Sequence, residues 1–316
     1  MRIAVLDDYQ SVAAEYCDWS RVPGPVEVVE FHDHVADPEA LARRLQPFDA
    51  IIAMRERTDF RRPLLESLPN LKLLVTTGMR NKSIDVAAAV ERGITVCGTG
   101  SVGPATAEMT WALILAVARS IPSEDASVRS GGWQHTVGLD LHGARLGVIG
   151  LGRLGSQVAR IGQAFGMDVV AWSQNLTDER AAEVGVRRVE RDELFATSDV
   201  VTIHLLLSKR TRGLITADDL ALLKHTAVLV NTSRGPIVDQ AALLDVLHDG
   251  RIGGAGLDVF DVEPLPAGHP LRSAPRTVLT PHLGYVTRNT YEVYYRDAVD
   301  DVAAFVAGSP VRVLEG

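Results

Sequence analysis

The chain has 316 residues, 46% hydrophobic and 23% charged, with a formal net charge of −8 at pH 7. This composition is typical of a globular protein with room for two domains, and its acidic balance argues against nucleic acid or an anionic membrane as the main partner. Cys17 and Cys97 form no Cys-x-x-Cys pair, which disfavours a disulfide framework and predicts a reducing compartment. No apolar run is long enough for a secretory signal or a bilayer span, so we expect a soluble cytoplasmic protein.

Short β-branched runs alternate with helical stretches along the whole chain, which predicts an α/β fold with parallel sheets. In the first third, helices are predicted at Pro38–Leu45 and Ser83–Arg92, the second with Ser83 as N-cap and Gly93 just past its end. The strands predicted here are Ile3–Leu6, Val26–Phe31, Ala50–Met54, Leu71–Val75 and Ile94–Cys97.

The segment "GTGSVGPA", Gly98 to Ala105, is typical of a linker and precedes a helix that is apolar on nearly all sides. A second α/β run follows, and a final amphipathic helix is predicted at Asn289–Ala307. The strands predicted in this run are Arg145–Ile149, Val169–Trp172, Val200–His204, Ala227–Asn231, Gly254–Asp258 and Val278–Thr280.

The segment "GLGRLG", residues 150–155, fits the GxGxxG pattern, with its glycines at Gly150, Gly152 and Gly155. It directly follows an apolar strand and opens a predicted helix, Leu154 to Phe165. In that context, the glycines allow a tight turn and close approach of a pyrophosphate to the helix N-terminus. A dinucleotide site is therefore favoured over a glycine-rich turn without a ligand, and Arg153 could add a phosphate contact.

The next strand ends at Trp172 and is followed by Ser173, where a carboxylate would bind the adenosine ribose of NAD. Asp168 lies at the opposite end of that strand. The serine removes the charge that would repel a 2′-phosphate, but the next arginine is Arg180. We therefore expect NADP(H) to be tolerated and leave NAD(H) as the alternative.

Ionisable side chains follow three later strands: Arg234 in "NTSRGPIVD", Asp258 and Glu263 in "LDVFDVEP", and His282 in "TPHLG". In open α/β sheets, ligands bind at the carboxyl ends of the strands. An arginine suits a substrate carboxylate, and a histidine suits proton transfer near neutral pH. Each residue alone could also be an ordinary solvated or turn residue, so the combination carries the prediction.

The four motifs, in this order and spacing, resemble the D-isomer-specific 2-hydroxyacid dehydrogenases, strongly from Thr106 to Gly284 and more loosely before it. The resemblance implies two flavodoxin/Rossmann-like domains, with a discontinuous substrate domain at residues 1–99 and 286–316 and a dinucleotide-binding domain at residues 100–285. Such proteins commonly form homodimers through the cofactor domain.

The resemblance also implies roles for individual residues. Arg234 would bind the substrate's carboxylate and carbonyl, His282 would be the acid/base, and Glu263 would support His282. The reaction would transfer a hydride between NAD(P)H and the carbonyl of a small 2-oxo acid. The implied cofactor-binding residues are Gly150, Gly152, Arg153, Leu154, Gly155, Ser173, Gln174, Asn175, His204, Leu205, Thr232, Ser233, Asp258 and Gly284.

The substrate is expected to meet Arg234 and residues of the N-terminal domain, namely Arg55, Gly78, Met79 and Arg80. The loop "TTGMRNKS" departs from the family, which often has a second glycine and an aromatic residue there. Arg55, Arg80 and Lys82 could meet a second anionic group, or the two loop cations could simply be solvated. A metal site is not expected, because the His32-Asp33-His34 cluster lacks a nearby cysteine.

The principal alternative is a nicotinamide-sensing binding protein of the same fold without turnover. Such proteins generally carry partner-binding tails, and the absence of a long segment after the last predicted helix favours an enzyme. Formate dehydrogenases share the fold but pair the histidine with glutamine, so Glu263 argues against that activity. The identity of the 2-oxo acid stays open.

Overall fold

The computed structural model describes residues 1–315, in two compact units; the predicted domain end at Gly316 lies outside the described residues. The first unit comprises Met1–Gly103 and the residues from Thr287 onward, and the second comprises Pro104–Val286. All paired strands of the two sheets are parallel, which confirms the predicted α/β class. The unit boundaries fall at 103/104 and 286/287, against the expected 99/100 and 285/286.

The first unit has a five-stranded sheet in the order β2-β1-β3-β4-β5. Its central strands β3 and β4 are buried at every position, as expected for apolar runs covered on both faces of a parallel sheet. The N-terminal elements are β1 (Arg2–Val5), α1 (Ala13–Tyr16), β2 (Glu27–Glu30), α2 (Pro38–Leu45), β3 (Ala50–Ala53), α3 (Arg62–Glu66), β4 (Leu73–Thr76), α4 (Val86–Glu91) and β5 (Thr95–Gly98).

The start of α4 differs from the prediction. Asp85, not Ser83, is the N-cap: its carboxylate accepts a hydrogen bond from the Ala88 N–H at 3.0 Å. The Ser83 N–H instead donates to the Asn81 side chain at 2.8 Å, and the Ser83 carbonyl accepts from the Phe60 N–H. Both residue types suit an N-cap, and these loop contacts engage the serine before the helix begins.

The second unit has a seven-stranded sheet in the order β12-β11-β10-β9-β6-β7-β8. The two-residue strand β8 was not predicted. The elements are α5 (Ala105–Ala118), α6 (Ile121–Arg129), β6 (Arg145–Ile149), α7 (Arg153–Ala164), β7 (Asp168–Trp172), α8 (Asp178–Val184), β8 (Arg187–Arg188), α9 (Arg191–Thr197), β9 (Val200–Ile203), α10 (Ala217–Leu222), β10 (Val228–Asn231), α11 (Gln240–His248), β11 (Gly254–Leu257) and β12 (Thr277–Leu279).

Helix α5 is apolar on most sides because it lies on its own unit's sheet. It packs against α7, β10 and β11, and its Trp111 ring stacks on Phe165 with centroids 4.8 Å apart. Trp111, Leu113 and Ile114 belong to a buried cluster with residues of β6 and β7. A second cluster includes residues of β9, β10 and α11. Burial of these two clusters fixes the sheet whose carboxyl edge is described below.

The closing helix α12 (Arg288–Val306) returns the chain to the first unit and buries an acidic residue. Asp301 is fully buried, and its Oδ1 atom accepts a hydrogen bond from Arg312 Nε at 3.0 Å. Its Oδ2 atom has no hydrogen-bond partner among the described residues. Burial raises the pKa of Asp301 to about 7, against the attraction of Arg312.

This buried carboxyl predicts a pH dependence of stability. Because its folded pKa of about 7 lies above the usual value of 3.8, the contribution of Asp301 to the free energy of unfolding falls as pH rises between those values. We expect Asp301→Asn to be more stable than wild type at pH 8, with a smaller difference at pH 5. Urea unfolding at both pH values measures this.

The matched control is Glu292→Gln on the same helix, where the side chain is exposed. It should not raise stability at pH 8. Equal effects of the two substitutions would contradict the assignment to the buried group.

Candidate active site

Three neighbouring strands, β10, β11 and β12, deliver the loops that carry Arg234, Glu263 and His282. Because the strands are parallel, these loops emerge at one edge of the sheet. The first two loops pack directly on each other: a Cβ atom on Gly235 would lie 2.1 Å from the Phe260 carbonyl carbon. Glycine is therefore required beside Arg234.

His282 and Glu263 form a hydrogen-bonded pair. The Nδ1 atom of His282 lies 2.6 Å from Oε2 of Glu263, and the two side chains are 13% and 19% exposed. The other carboxylate oxygen, Oε1, accepts from the Phe260 N–H at 2.9 Å. Glu263 thereby fixes the orientation of the imidazole.

Asp258 anchors the turn that carries His282. Its buried carboxylate accepts hydrogen bonds from the Thr280 hydroxyl at 2.6 Å and from the N–H groups of Leu283 and Gly284 at 2.7 and 2.8 Å. His282 has a φ of 55°, a left-handed conformation that needs such support. Burial raises the pKa of Asp258, while these donors act in the opposite direction. The predicted nicotinamide contact of Asp258 stays a prediction.

Arg234 is held by a network within its own loop. The Asn231 side chain donates to the Arg234 carbonyl at 2.9 Å and accepts from the Ser233 N–H at 2.9 Å. Nη1 of Arg234 donates to the Ser233 carbonyl at 2.6 Å. The Ser233 hydroxyl donates to the Ile203 carbonyl, and the hydroxyls of Thr232 and Thr110 lie 2.8 Å apart. The loop is thus tied to β9 and α5.

The glycine turn after β6 has the shape that a dinucleotide pyrophosphate requires. Gly150 has a φ of 96°, and a Cβ atom there would lie 2.6 Å from the His204 carbonyl oxygen. A Cβ atom on Gly155 would lie 2.0 Å from the Gly150 carbonyl oxygen. Around Gly152, by contrast, no heavy atom lies within 4 Å of the Cβ position, so the backbone is open to a ligand. Arg153 and Leu154 then begin α7, and the turn fits the group.

The neighbouring strand ends complete this part of the edge. The Gly150 N–H donates to the Trp172 carbonyl at 2.8 Å, which places the next residue, Ser173, beside the glycine turn. Ser173 is partly buried, and the following Gln174 and Asn175 are exposed. After β9, burial lowers the pKa of His204 to about 4, so its ring is neutral near pH 7. Leu205 follows it, partly buried against the core.

The predicted substrate residues of the first unit follow β3 and β4 in its own sheet. Arg55 has a φ of 50°, and its Nη1 donates to the Thr77 carbonyl at 3.0 Å. The guanidinium lies against Gly78, where a Cβ atom would be 2.1 Å from Nη1. Met79 and Arg80 are exposed beside them. The Arg55 guanidinium therefore covers Gly78, whose N–H donates to the Thr99 hydroxyl at 2.8 Å.

Two features of the second unit escaped sequence reasoning. The Thr106 hydroxyl of α5 donates to the Gly284 carbonyl at 2.8 Å, and the Tyr285 ring meets the His282 ring edge-on, with centroids 5.5 Å apart. Neither contact follows from the spacing of the motifs in the sequence. Within residues 1–315, no group of three or more His, Cys, Asp or Glu side chains could hold a metal ion, and no helix is long and apolar enough to cross a membrane.

Comparison with known proteins gives concordant matches over most of the chain. The family model described as D-isomer specific 2-hydroxyacid dehydrogenase, NAD binding domain, matches residues 111–284. Glyoxylate reductase from Aeropyrum pernix is 39% identical over 293 residues, which cover 89% of this chain and 87% of that protein. D-3-phosphoglycerate dehydrogenase from Bacillus subtilis is 37% identical over 90% of this chain, which spans only 54% of that relative. The crystal structure of phosphoglycerate oxidoreductase from Vibrio cholerae o395 superposes with a TM-score of 0.93 at 38% identity, covering 98% of this chain and all of that one.

The anchoring role of Asp258 predicts a loss of stability in Asp258→Ala. The substitution leaves a hydroxyl and two N–H groups without their acceptor, so we expect the free energy of unfolding to fall by about 3 kcal/mol. Urea unfolding measures the change. Asp261→Ala, at an exposed position three residues on, is the control and should have little effect. Similar losses in both variants would argue against a special role for Asp258.

Proposed function

The chain belongs to the D-isomer specific 2-hydroxyacid dehydrogenase family, and we propose that it is a 2-oxo acid reductase with His282 as its acid/base. Membership makes it an NAD(P)-dependent oxidoreductase that acts on the CH–OH group. The observation that carries the more specific proposal is the bond between His282 Nδ1 and Glu263, which orients the imidazole and supports proton transfer through Nε2. In the reducing direction, protonated His282 gives its proton to the carbonyl oxygen of the substrate.

Arg234 is proposed to bind the carboxylate of the 2-oxo acid and to polarise its carbonyl. A guanidinium presents its donors in a planar fork that matches a carboxylate, so one residue supplies both orientation and charge stabilisation. The loop network around Asn231 and Ser233 supports this role, because it holds the Arg234 backbone in place. Glu263 is proposed to support His282 without contacting the substrate.

The residues proposed to hold NAD or NADP surround the glycine turn and the adjacent strand ends. The nicotinamide, when bound, supplies the hydride for carbonyl reduction. The open backbone at Gly152 and the first turn of α7 would hold the pyrophosphate. Ser173 in place of a carboxylate supports tolerance of a 2′-phosphate. The remaining proposed contacts are Gly150, Arg153, Leu154, Gly155, Gln174, Asn175, His204, Leu205, Thr232, Ser233, Asp258 and Gly284.

Arg55, Gly78, Met79 and Arg80 are proposed as further substrate contacts. Arg55 places a guanidinium in this loop, and such a cation suits an anionic group. The relatives named for phosphoglycerate act on a phosphorylated acid, whereas glyoxylate, the substrate named for the Aeropyrum relative, has a single carboxylate. We therefore also propose that the substrate carries a second anionic group. Comparing the kinetics of substrates with and without such a group tests this.

We also propose that the chain forms a homodimer through its second unit. Trp133 and Val137, in the segment between α6 and β6, are 73% and 100% exposed. Large apolar side chains at such exposure are costly in a monomer and typical of an interface. Leu115 of α5 and Phe165 of the same unit add partly exposed apolar surface. A second copy of the chain is the proposed occupant.

A cytoplasmic location is proposed from the thiol chemistry. Cys17 and Cys97 are both free and buried, and burial raises the pKa of each thiol to about 12. Such thiols are poor nucleophiles, so we propose no role that requires their oxidation. The use of two unpaired cysteines suits a reducing compartment.

The binding-protein alternative is not favoured. The curated relatives matched over most of this chain are named as dehydrogenases and reductases.

The proposed function is tested by following NADPH and NADH oxidation with glyoxylate, hydroxypyruvate, pyruvate, phenylpyruvate and phosphonopyruvate. We expect turnover with at least one 2-oxo acid, and His282→Ala to lower kcat by about 10²–10⁴-fold because the proton donor is lost. His225→Ala, at an exposed position on the same unit, is the matched control and should keep wild-type rates. Nucleotide binding without turnover on any of these acids would favour the sensor.

The proposed dimer is tested by light scattering during size-exclusion chromatography. We expect wild type at twice the chain mass of 34.1 kDa, and the double variant Trp133→Asp/Val137→Asp at the monomer mass, because buried carboxylates would oppose association. Val262→Asp, at another exposed apolar side chain of the second unit, should stay dimeric. A monomeric wild type would overturn the proposal.

A further inference from the structure

Arg180 lies beside the glycine turn although it follows Ser173 at some distance in sequence. The Leu176 N–H donates to the Ser173 carbonyl at 3.0 Å, which closes a turn directly after β7. Thr177 then caps α8: its side-chain oxygen accepts from the Arg180 N–H at 3.2 Å. Arg180 therefore occupies the first turn of α8, close to the strand end where an adenosine ribose is recognised in this fold.

The side chain of Arg180 reaches the helix that begins at the glycine turn. Its Nη2 atom lies 3.3 Å from the Ser156 hydroxyl oxygen. Ser156 is in the first turn of α7, with its N–H bonded to the Gly152 carbonyl at 2.9 Å. The guanidinium thus lies close to the start of α7. In the same unit, the Gly150 N–H joins the glycine turn to the end of β7 by its hydrogen bond to the Trp172 carbonyl.

The present partner of Arg180 can be exchanged. Nη1 lies 2.6 Å from Glu183 on the same helix, and the two side chains are 47% and 64% exposed. Ion pairs at this exposure contribute little to stability. A phosphate dianion offers the guanidinium a stronger, bidentate partner than this carboxylate. Ser173 carries no charge that would oppose such a dianion.

We propose that Arg180 binds the 2′-phosphate of NADP(H), so that this chain prefers NADP(H) over NAD(H). The inference rests on the proposed cofactor role of the glycine turn and goes beyond tolerance of the phosphate. It assigns the preference to a helix residue rather than to the residue that ends β7. Two further arginines, Arg187 and Arg188, follow on β8 and pair with Glu193 and Glu190, whereas Arg180 contacts Ser156 of α7.

The test measures binding of two adenosine fragments by isothermal titration calorimetry, without turnover. Adenosine 2′,5′-bisphosphate carries the 2′-phosphate, and adenosine 5′-monophosphate lacks it. We expect wild type to bind the bisphosphate about tenfold or more tightly than the monophosphate. Arg180→Gln should remove most of that difference and leave monophosphate affinity unchanged. Glu183→Gln should strengthen bisphosphate binding, because it removes the competing carboxylate.

Arg187→Gln is the matched control, since it removes the same charge from the same unit and should keep the wild-type preference. A preference that survives in Arg180→Gln, or that is absent in wild type, would overturn the assignment. Failure of NAD, NADP and both fragments to bind would overturn the proposed cofactor role as well. If the protein shows no turnover but Arg180→Gln still loses the preference for the bisphosphate, the result supports this inference and contradicts the proposed reaction.

Discussion

The three hydrogen bonds to the buried Asp258 carboxylate are the constraint on which the geometry of the site depends. They hold His282 in a left-handed backbone conformation that an L-residue seldom adopts without support. That conformation presents the imidazole to Glu263. The second carboxylate oxygen of Glu263 accepts a hydrogen bond from the Phe260 N–H in the loop that follows β11. The His282 imidazole is therefore oriented by two carboxylates: Asp258 holds the backbone of its turn, and Glu263 binds its ring.

Parallel strands explain why this pair and the dinucleotide turn occupy one edge of the second unit. Each strand of a parallel sheet ends at the same side, and the loops that follow must lie there. The glycines make the turn possible at one end of the row, and Gly235 permits two loops to meet at the other. Side chains that are held in place before a substrate binds need no rearrangement when it reacts.

The sequence predicts well what depends on periodicity and strand order, and less well what depends on side-chain partners. The ends of β10, β11 and β12 were close to their predicted positions, so the placement of Arg234, Glu263 and His282 at one edge followed from them. The anchoring contacts of Asp258 were not predicted, because spacing along the chain does not reveal which turn bends back toward a carboxylate. For the same reason the helix cap was wrongly placed at Ser83: Ser and Asp have similar N-cap preference, and tertiary contacts decide between them.

The end of β7 shows how this limit affects a functional question. In sequence, Ser173 is followed by no adjacent cation, so the residues alone support only tolerance of a 2′-phosphate. The turn at Ser173–Leu176 and the cap at Thr177 reverse the chain, and a side chain one helical turn later comes within reach of α7. The proposed preference for NADP(H) therefore depends on the folded segment and not on the residue at the strand end alone. A serine at the strand end permits a 2′-phosphate, and a guanidinium beside the neighbouring helix is the group that would bind it.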